Sequence, residues 1–349
     1  MTTPRRAALV LSCGVALAVA TGCARGPSDV FATNPRRPSG SAGLSGSADS
    51  ATWRPFTADS PWNTPIGKSP KPASDSVSLI SDLARSSKWP FLTINIGQYG
   101  IPIYWADART PREQVEIILV GGQGFERGRA DVPIPPGASP AVGTDKHLCI
   151  IDKSAGLEWG FWQADKKTSG WTCAVCATAD LAGSGVRPPA ARDPWWMGHG
   201  ARACGFPLVA GLITVDELRA GAIEHALVLA YPHIRSRYYT PPASTAQATT
   251  DEARPTRGMP CGARIQLDPT LEIDRIGLSA SGRAIARALQ NYGAYIGDYS
   301  GAVSLYADAS PAAQSVFKAG LLDTYEVRAQ IDLEKFRVLE FAPLFDQKN

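Results

Sequence analysis

From about residue 55 onward, short apolar runs alternate with clusters of Gly, Pro, Ser and Asn. Runs of this kind, bounded by turn residues, read as strands. They fall at Leu92–Ile96, Ile101–Trp105, Gln114–Val120, His147–Asp152, Leu157–Trp162, Glu224–Ala230, Ala263–Leu267, Ala294–Asp298 and Ala302–Tyr306. Ser300-Gly301 between the last two predicts a tight hairpin. Helical spacing is rarer. Val77, Ile80 and Leu83 share one face of Ser76–Arg85, and Ile285, Leu289 and Tyr292 share one face of Ser281–Tyr292, which stops at Gly293. Thr214-Val215-Asp216-Glu217 has the order of a capping box, and Pro311 suits the first turn of Pro311–Ala319. The expected fold is mainly β, a jelly roll or β-sandwich with a few short helices. Residues 55–349 form one domain in this reading, with 310–349 a helix and a strand pair near Phe336–Phe341 added at its end.

The pattern changes before residue 55. Arg5 and Arg6 precede the apolar run Ala7–Ala20, and Thr21-Gly22-Cys23 follows. A basic start, an apolar stretch too short to span a bilayer comfortably and small residues before a break make an export signal over residues 1–22. Ala20-Thr21-Gly22-Cys23 resembles a bacterial lipobox, with Ala20 where Leu is usual. That resemblance implies lipidation of Cys23 and a membrane as partner; the alternative is an ordinary cut near Ala18–Ala20 that leaves Cys23 free. Ser, Gly, Ala, Pro and Arg dominate the segment after Cys23 up to residue 54, a tether with a reach of roughly 30 Å.

Charge narrows the partners. Lys+Arg 35 against Asp+Glu 32 gives a net charge of +3 without a basic stripe, so no nucleic-acid partner is expected. Nothing in the sequence sets an oligomeric state. Seven cysteines are present, of which Cys13 leaves with the signal and Cys149 falls mid-strand as a buried thiol. Cys173, Cys176, Cys204 and Cys261 remain. Cys173-x2-Cys176 has zinc-like spacing, but Cys204 and Cys261 are not a second close pair. An exported chain favours two disulfides among the four over a metal site or free thiols, so no metal is expected.

Four groups could carry chemistry. Asp145 and His147 share one face at a strand start, because the strand period is two. They suit acid–base work, or equally a structural hydrogen bond. In Leu157–Trp162, Trp159 and Phe161 share one face, and Glu158, Gly160 and Trp162 the other; Trp159 or Trp162 could line a sugar platform, or fill the core. His225 faces inward with Leu227 and Leu229, as a base or as a hydrogen-bonded core residue. Arg264 and Gln266 share a strand face and could clamp a substrate carboxylate, with Tyr292 nearby as a phenol. Walker, dinucleotide-binding, H-E-x-x-H and G-x-S-x-G motifs are missing, Gly121-Gly122-Gln123-Gly124 reads as a turn, and no cofactor is implied.

Six blocks occur in order: Ser60-Pro61-Trp62-Asn63-Thr64-Pro65-Ile66, Asp145-Lys146-His147, Phe161-Trp162-Gln163-Ala164, Gly205–Ile213, Ile223-Glu224-His225-Ala226 and Ala288-Leu289-Gln290-Asn291-Tyr292-Gly293. Over about 55–309 the chain resembles a family of secreted, β-rich bacterial proteins common in actinomycetes. The resemblance implies export and a β-rich domain and brings no catalytic residue. It also implies Asp or Glu at the place of Gly160, an acid lost here or moved to Glu158. The function expected is a lipid-anchored carbohydrate-active enzyme on cell-wall or extracellular glycan. A hydrolase would draw its carboxylates from Asp145, Asp152 and Glu158. A lyase would use His225 or Tyr292 as base and Arg264 as neutraliser. A non-catalytic glycan-binding or structural envelope lipoprotein is the alternative.

Overall fold

The apolar run Leu227–Tyr231 is buried along its whole length and lies inside the largest sheet. The structure is a computed structural model, and it describes residues 53–87, 89, 91–118, 128–187, 200–246, 258–328 and 330–347. The expected signal, Cys23, the tether up to residue 52 and the Gly121–Gly124 turn lie outside the described residues.

The strands in chain order are β1 (Thr93–Asn95), β2 (Ile103–Ala106), β3 (Arg112–Ile117), β4 (Gly128–Pro133), β5 (Leu148–Asp152), β6 (Leu157–Trp162), β7 (Asp165–Lys167), β8 (Gly170–Cys173) and β9 (Val175–Asp180). After them come β10 (Leu227–Tyr231), β11 (Arg235–Tyr239), β12 (Pro260–Cys261), β13 (Arg264–Leu267), β14 (Ala294–Tyr299), β15 (Ser304–Tyr306), β16 (Phe336–Val338) and β17 (Phe345–Asp346). Four short helices accompany them: α1 (Ser76–Ser86), α2 (Val215–Ala220), α3 (Ala280–Asn291) and α4 (Pro311–Lys318). The fold is mainly β and sandwich-like, as expected.

Six strands form one sheet in the order β1-β15-β10-β14-β13-β16. A second sheet runs β2-β5-β6-β9, a third β4-β3-β8-β7, and a small one β12-β11-β17. The second sheet is a wall shared by two cores. Cys149 and Ile151 of β5 face the larger core, which the six-stranded sheet and the helices close. Leu148 and Ile150 face a smaller core closed by Val115, Val132 and Trp171 of the third sheet. Burial on both faces explains why β5 reads as a continuous apolar run rather than an alternating one.

Local signals hold where local chemistry decides. Thr214 caps α2 by accepting from the Glu217 amide, while the Glu217 carboxylate accepts from the Thr214 amide at 3.0 Å. Ser310 caps α4 ahead of Pro311. Other expectations fail. Val77 is exposed, off the face that α1 buries through Leu79, Ile80 and Leu83, and Asp145 and His147 precede β5 in a turn rather than sharing a strand face. Ser300-Gly301 does not close a hairpin, because β10 lies between β14 and β15, parallel to the first and antiparallel to the second. A turn dipeptide brings the chain about, but the most apolar strand takes the sheet interior. Only one of the two expected disulfides is present, Cys204–Cys261; Cys173 and Cys176 are free thiols. Cys173 is packed in the smaller core, with Cys176 against it, and burial pushes the Cys173 thiol up to about 12.

Candidate functional site

A β-bulge creates the site. Along β10 and β14 the register steps from Leu229–Ile296 to Ala230–Asp298, so Gly297 is the extra residue. Bulges re-aim the next side chain, and here that side chain is Asp298. A Cβ on residue 297 would sit 2.6 Å from Val228 Cγ1 and 2.8 Å from the Phe206 ring, so only glycine fits the bulge. The Gly297 carbonyl accepts from the Cys204 amide, and the Cys204–Cys261 disulfide holds that loop in place. Arg202 lies two residues earlier in the same loop.

Asp298 is half-buried and accepts from the Tyr299 amide at 2.9 Å and the Tyr306 hydroxyl at 3.2 Å. Burial raises its pKa to about 6; the Arg202 charge opposes the rise and the Asp145 charge adds to it. Asp145, also half-buried, reaches this acid from the β5 side. Burial raises its pKa against a hydrogen bond from the Trp162 side chain. The corner that presents Asp145 is clamped: its carbonyl accepts from the Gln163 amide, and Lys146 and Gln163 both take positive φ, 44° and 53°. Non-glycine residues in that region are uncommon, and they mark functional corners more often than chance.

Beneath the two acids lies a polar floor. Arg202 is 1% exposed, its Nη2 donates to the Leu208 carbonyl at 2.9 Å, and its guanidinium carbon stands 4.6 Å over the Tyr306 ring. Burial lowers the Arg202 pKa; Tyr306, Asp298 and Glu158 oppose that. Glu158 accepts from the amides of Leu208 at 2.7 Å and Val209 at 3.0 Å. It therefore anchors the 205–213 block rather than facing solvent, and its pKa is raised by burial. Gly160 belongs to this anchor, since a Cβ there would lie 2.8 Å from Glu158 Oε1. His147 is buried, and its Nε2–H donates to the Ala201 carbonyl at 3.3 Å. Burial and then the Arg202 charge lower its pKa to about 3, so this ring is neutral.

The remaining sequence candidates make their contacts elsewhere. His225 pairs with Glu217 of α2 at 2.8 Å and with the Ala226 carbonyl at 3.0 Å. Both partners accept, which favours the charged ring with both nitrogens donating, and they raise the His225 pKa against burial. Arg264 spends Nε on the Tyr292 carbonyl at 2.7 Å and Nη2 on the Thr64 carbonyl at 2.9 Å, bracing the 60–66 block against the end of α3. Gln266 bonds the Gln290 carbonyl and Arg337. Trp159 packs against the smaller core with Phe161, while Trp162 is the aromatic that reaches the acids. The structure thus joins Asp145, His147, Glu158 and Trp162, and leaves His225, Arg264, Gln266, Tyr292 and Trp159 outside. Asp298, Tyr306 and Arg202 escape sequence reading. Asp298 carries the one available signal, an acid after glycine at the end of a buried apolar strand.

Among the described residues no group of His, Cys, Asp and Glu is placed to hold a metal ion. No described helix is long and apolar enough to cross a membrane. Compared with protein-family models, curated proteins and solved structures, the chain matches none.

Proposed function

We propose that this chain is an exported, lipid-anchored glycoside hydrolase acting on cell-wall or extracellular glycan. The observation that carries this reading is the pair of partly buried carboxyls, Asp298 and Asp145, with Trp162 beside Asp145. Cleavage of a glycosidic bond needs one carboxyl that still holds its proton and one carboxylate that acts on water or the anomeric carbon. Asp298, protonated up to about pH 6, donates to the leaving oxygen as the C–O bond breaks. Asp145 takes a proton from the water that forms the new C–O bond; burial raises its pKa, and the hydrogen bond from Trp162 opposes that rise. The indole offers a face on which a sugar ring can stack.

The lyase variant loses support because its acid–base groups are engaged. His225 is in an ion pair with Glu217, and Arg264 is bound to two carbonyls. A panel of polysaccharides read for new reducing ends and for ultraviolet-absorbing unsaturated products tests this. Reducing ends alone are expected; unsaturated ends would mean a lyase. Glycan binding without products would mean a binding protein.

Anchoring rests on the order of Arg5, Arg6, Ala7–Ala20 and Cys23. The Cys204–Cys261 disulfide supports an oxidising compartment outside the cytoplasm. In a bacterium fed labelled fatty acid, the wild type should take up label and Cys23→Ala should not. Equal labelling would refute the anchor.

A further inference from the structure

We propose that Arg202 is a carboxylate-binding subsite, so that the glycan this site takes is acidic, built from uronic acid units. The inference rests on the glycan reading above and adds the charge of the substrate. Buried polar nitrogens are almost always paired, and an exception asks for an explanation. Arg202 Nε and Nη1 are buried and have no acceptor. Among the described residues it is the only side chain with two such nitrogens. Between them these atoms carry three N–H groups, all charged donors.

Among the described residues no neighbour is positioned to take them. The Glu158 oxygens are turned to the amides of Leu208 and Val209. The Asp298 oxygens accept from the Tyr299 amide and the Tyr306 hydroxyl. Tyr306 presents its ring face to the guanidinium. Among the polar partners around Arg202, Asp298 is the one that is not fully buried. An acceptor from outside therefore arrives past Asp298, at the place where the proposed proton donor acts. A planar carboxylate matches a guanidinium in charge and in hydrogen-bond geometry, where a neutral hydroxyl offers only one weaker acceptor. Arg264, the arginine that the strand pattern brings forward for this role, has its Nε and Nη2 committed to carbonyls.

The test compares oligogalacturonate and oligoglucuronate, each as the free acid and as the methyl ester, by calorimetric binding and by product analysis. Esterification removes the charge and keeps the ring. The wild type is expected to bind the acids at least tenfold more tightly than the esters, and Arg202→Gln to erase that preference while Arg202→Lys keeps part of it. Free glucuronate, but not glucose, should also shift the Arg202 Nε–H signal in a ¹⁵N spectrum of the wild type, a readout independent of any variant's folding. Equal binding of acid and ester with an unmoved Arg202 signal overturns the subsite and leaves the hydrolase reading standing. A preference for the acids with no products overturns the hydrolase reading and keeps the subsite. Binding of neither form overturns the subsite.

Discussion

Burial favours the neutral form of Asp298 and of both buried histidines, and only at His225 do neighbouring groups outweigh it. Asp298 keeps its proton to about pH 6. If it is the acid of the reaction, activity should fall about tenfold per pH unit above that value, and Asp298→Asn should lower kcat by about 10²–10⁴-fold. A pH–rate profile unchanged in Asp298→Asn would remove it from the mechanism. His147 is held neutral, with its pKa near 3 against 6.5 when free, so the unfolded chain binds a proton that the folded chain refuses. Its contribution to stability is therefore lost as pH falls below 6.5, at up to about 1.4 kcal/mol per pH unit. His225 has the opposite sign. Burial disfavours its charge, but Glu217 and the Ala226 carbonyl outweigh that and raise the pKa above 6.5. Its contribution is present below 6.5 and lost as pH rises through the raised value. Thermal midpoints from pH 4 to 9 should show a shallower acid limb in His147→Asn and a shallower alkaline limb in His225→Gln. The reverse pairing would contradict both assignments.

Among the elements, the bulge in β14 is the one that aims Asp298. In Gly297→Ala the added methyl meets Val228 Cγ1 and the Phe206 ring, and both are buried in the larger core. Overpacking of this kind costs about 1–3 kcal/mol, and relief of the clash would turn Asp298 away from Asp145. The variant should melt several degrees lower and lose activity beyond what its folded fraction explains. Thr214→Ala makes a useful contrast. It removes one half of the α2 capping box at about 1 kcal/mol, where the Thr214 side chain bonds Glu217 and neither acid, and should leave kcat unchanged. A Gly297→Ala protein with full activity would mean the bulge does not aim Asp298.

For the whole molecule, one disulfide joins two distant parts of the chain at the site. Cys204 and Cys261 close a loop of 57 residues, worth about 4 kcal/mol on the chain-entropy account, and tie the Arg202 loop to β12. Cys204→Ser/Cys261→Ser should lose about 2–5 kcal/mol in denaturant unfolding. The chain from residue 24 onward holds five cysteines, and three of them, Cys149, Cys173 and Cys176, are free. Denatured without reductant it should titrate three thiols. A count of one would mean that Cys173 and Cys176 are linked after all.

What the sequence determined by itself is local. The capping box at Thr214–Glu217, the caps of α3 and α4, the face assignment of Glu158 and Trp162 against Trp159 and Phe161, and the β-rich class all follow from spacing and short-range hydrogen bonding. Asp145 and His147 were legible as candidates but not by strand alternation: β5 begins only at Leu148, and the turn through Lys146, at φ 44°, presents them. What only the tertiary structure decided is every pairing across the chain. β10 displaced the expected hairpin because burial on both faces outranks a turn dipeptide, and Cys204 found Cys261 because two remote loops meet. Asp298, Tyr306 and Arg202 became neighbours of Asp145 through strand order and a one-residue bulge. Local spacing carries no information about either, because both are set by how apolar surface is buried across the whole fold.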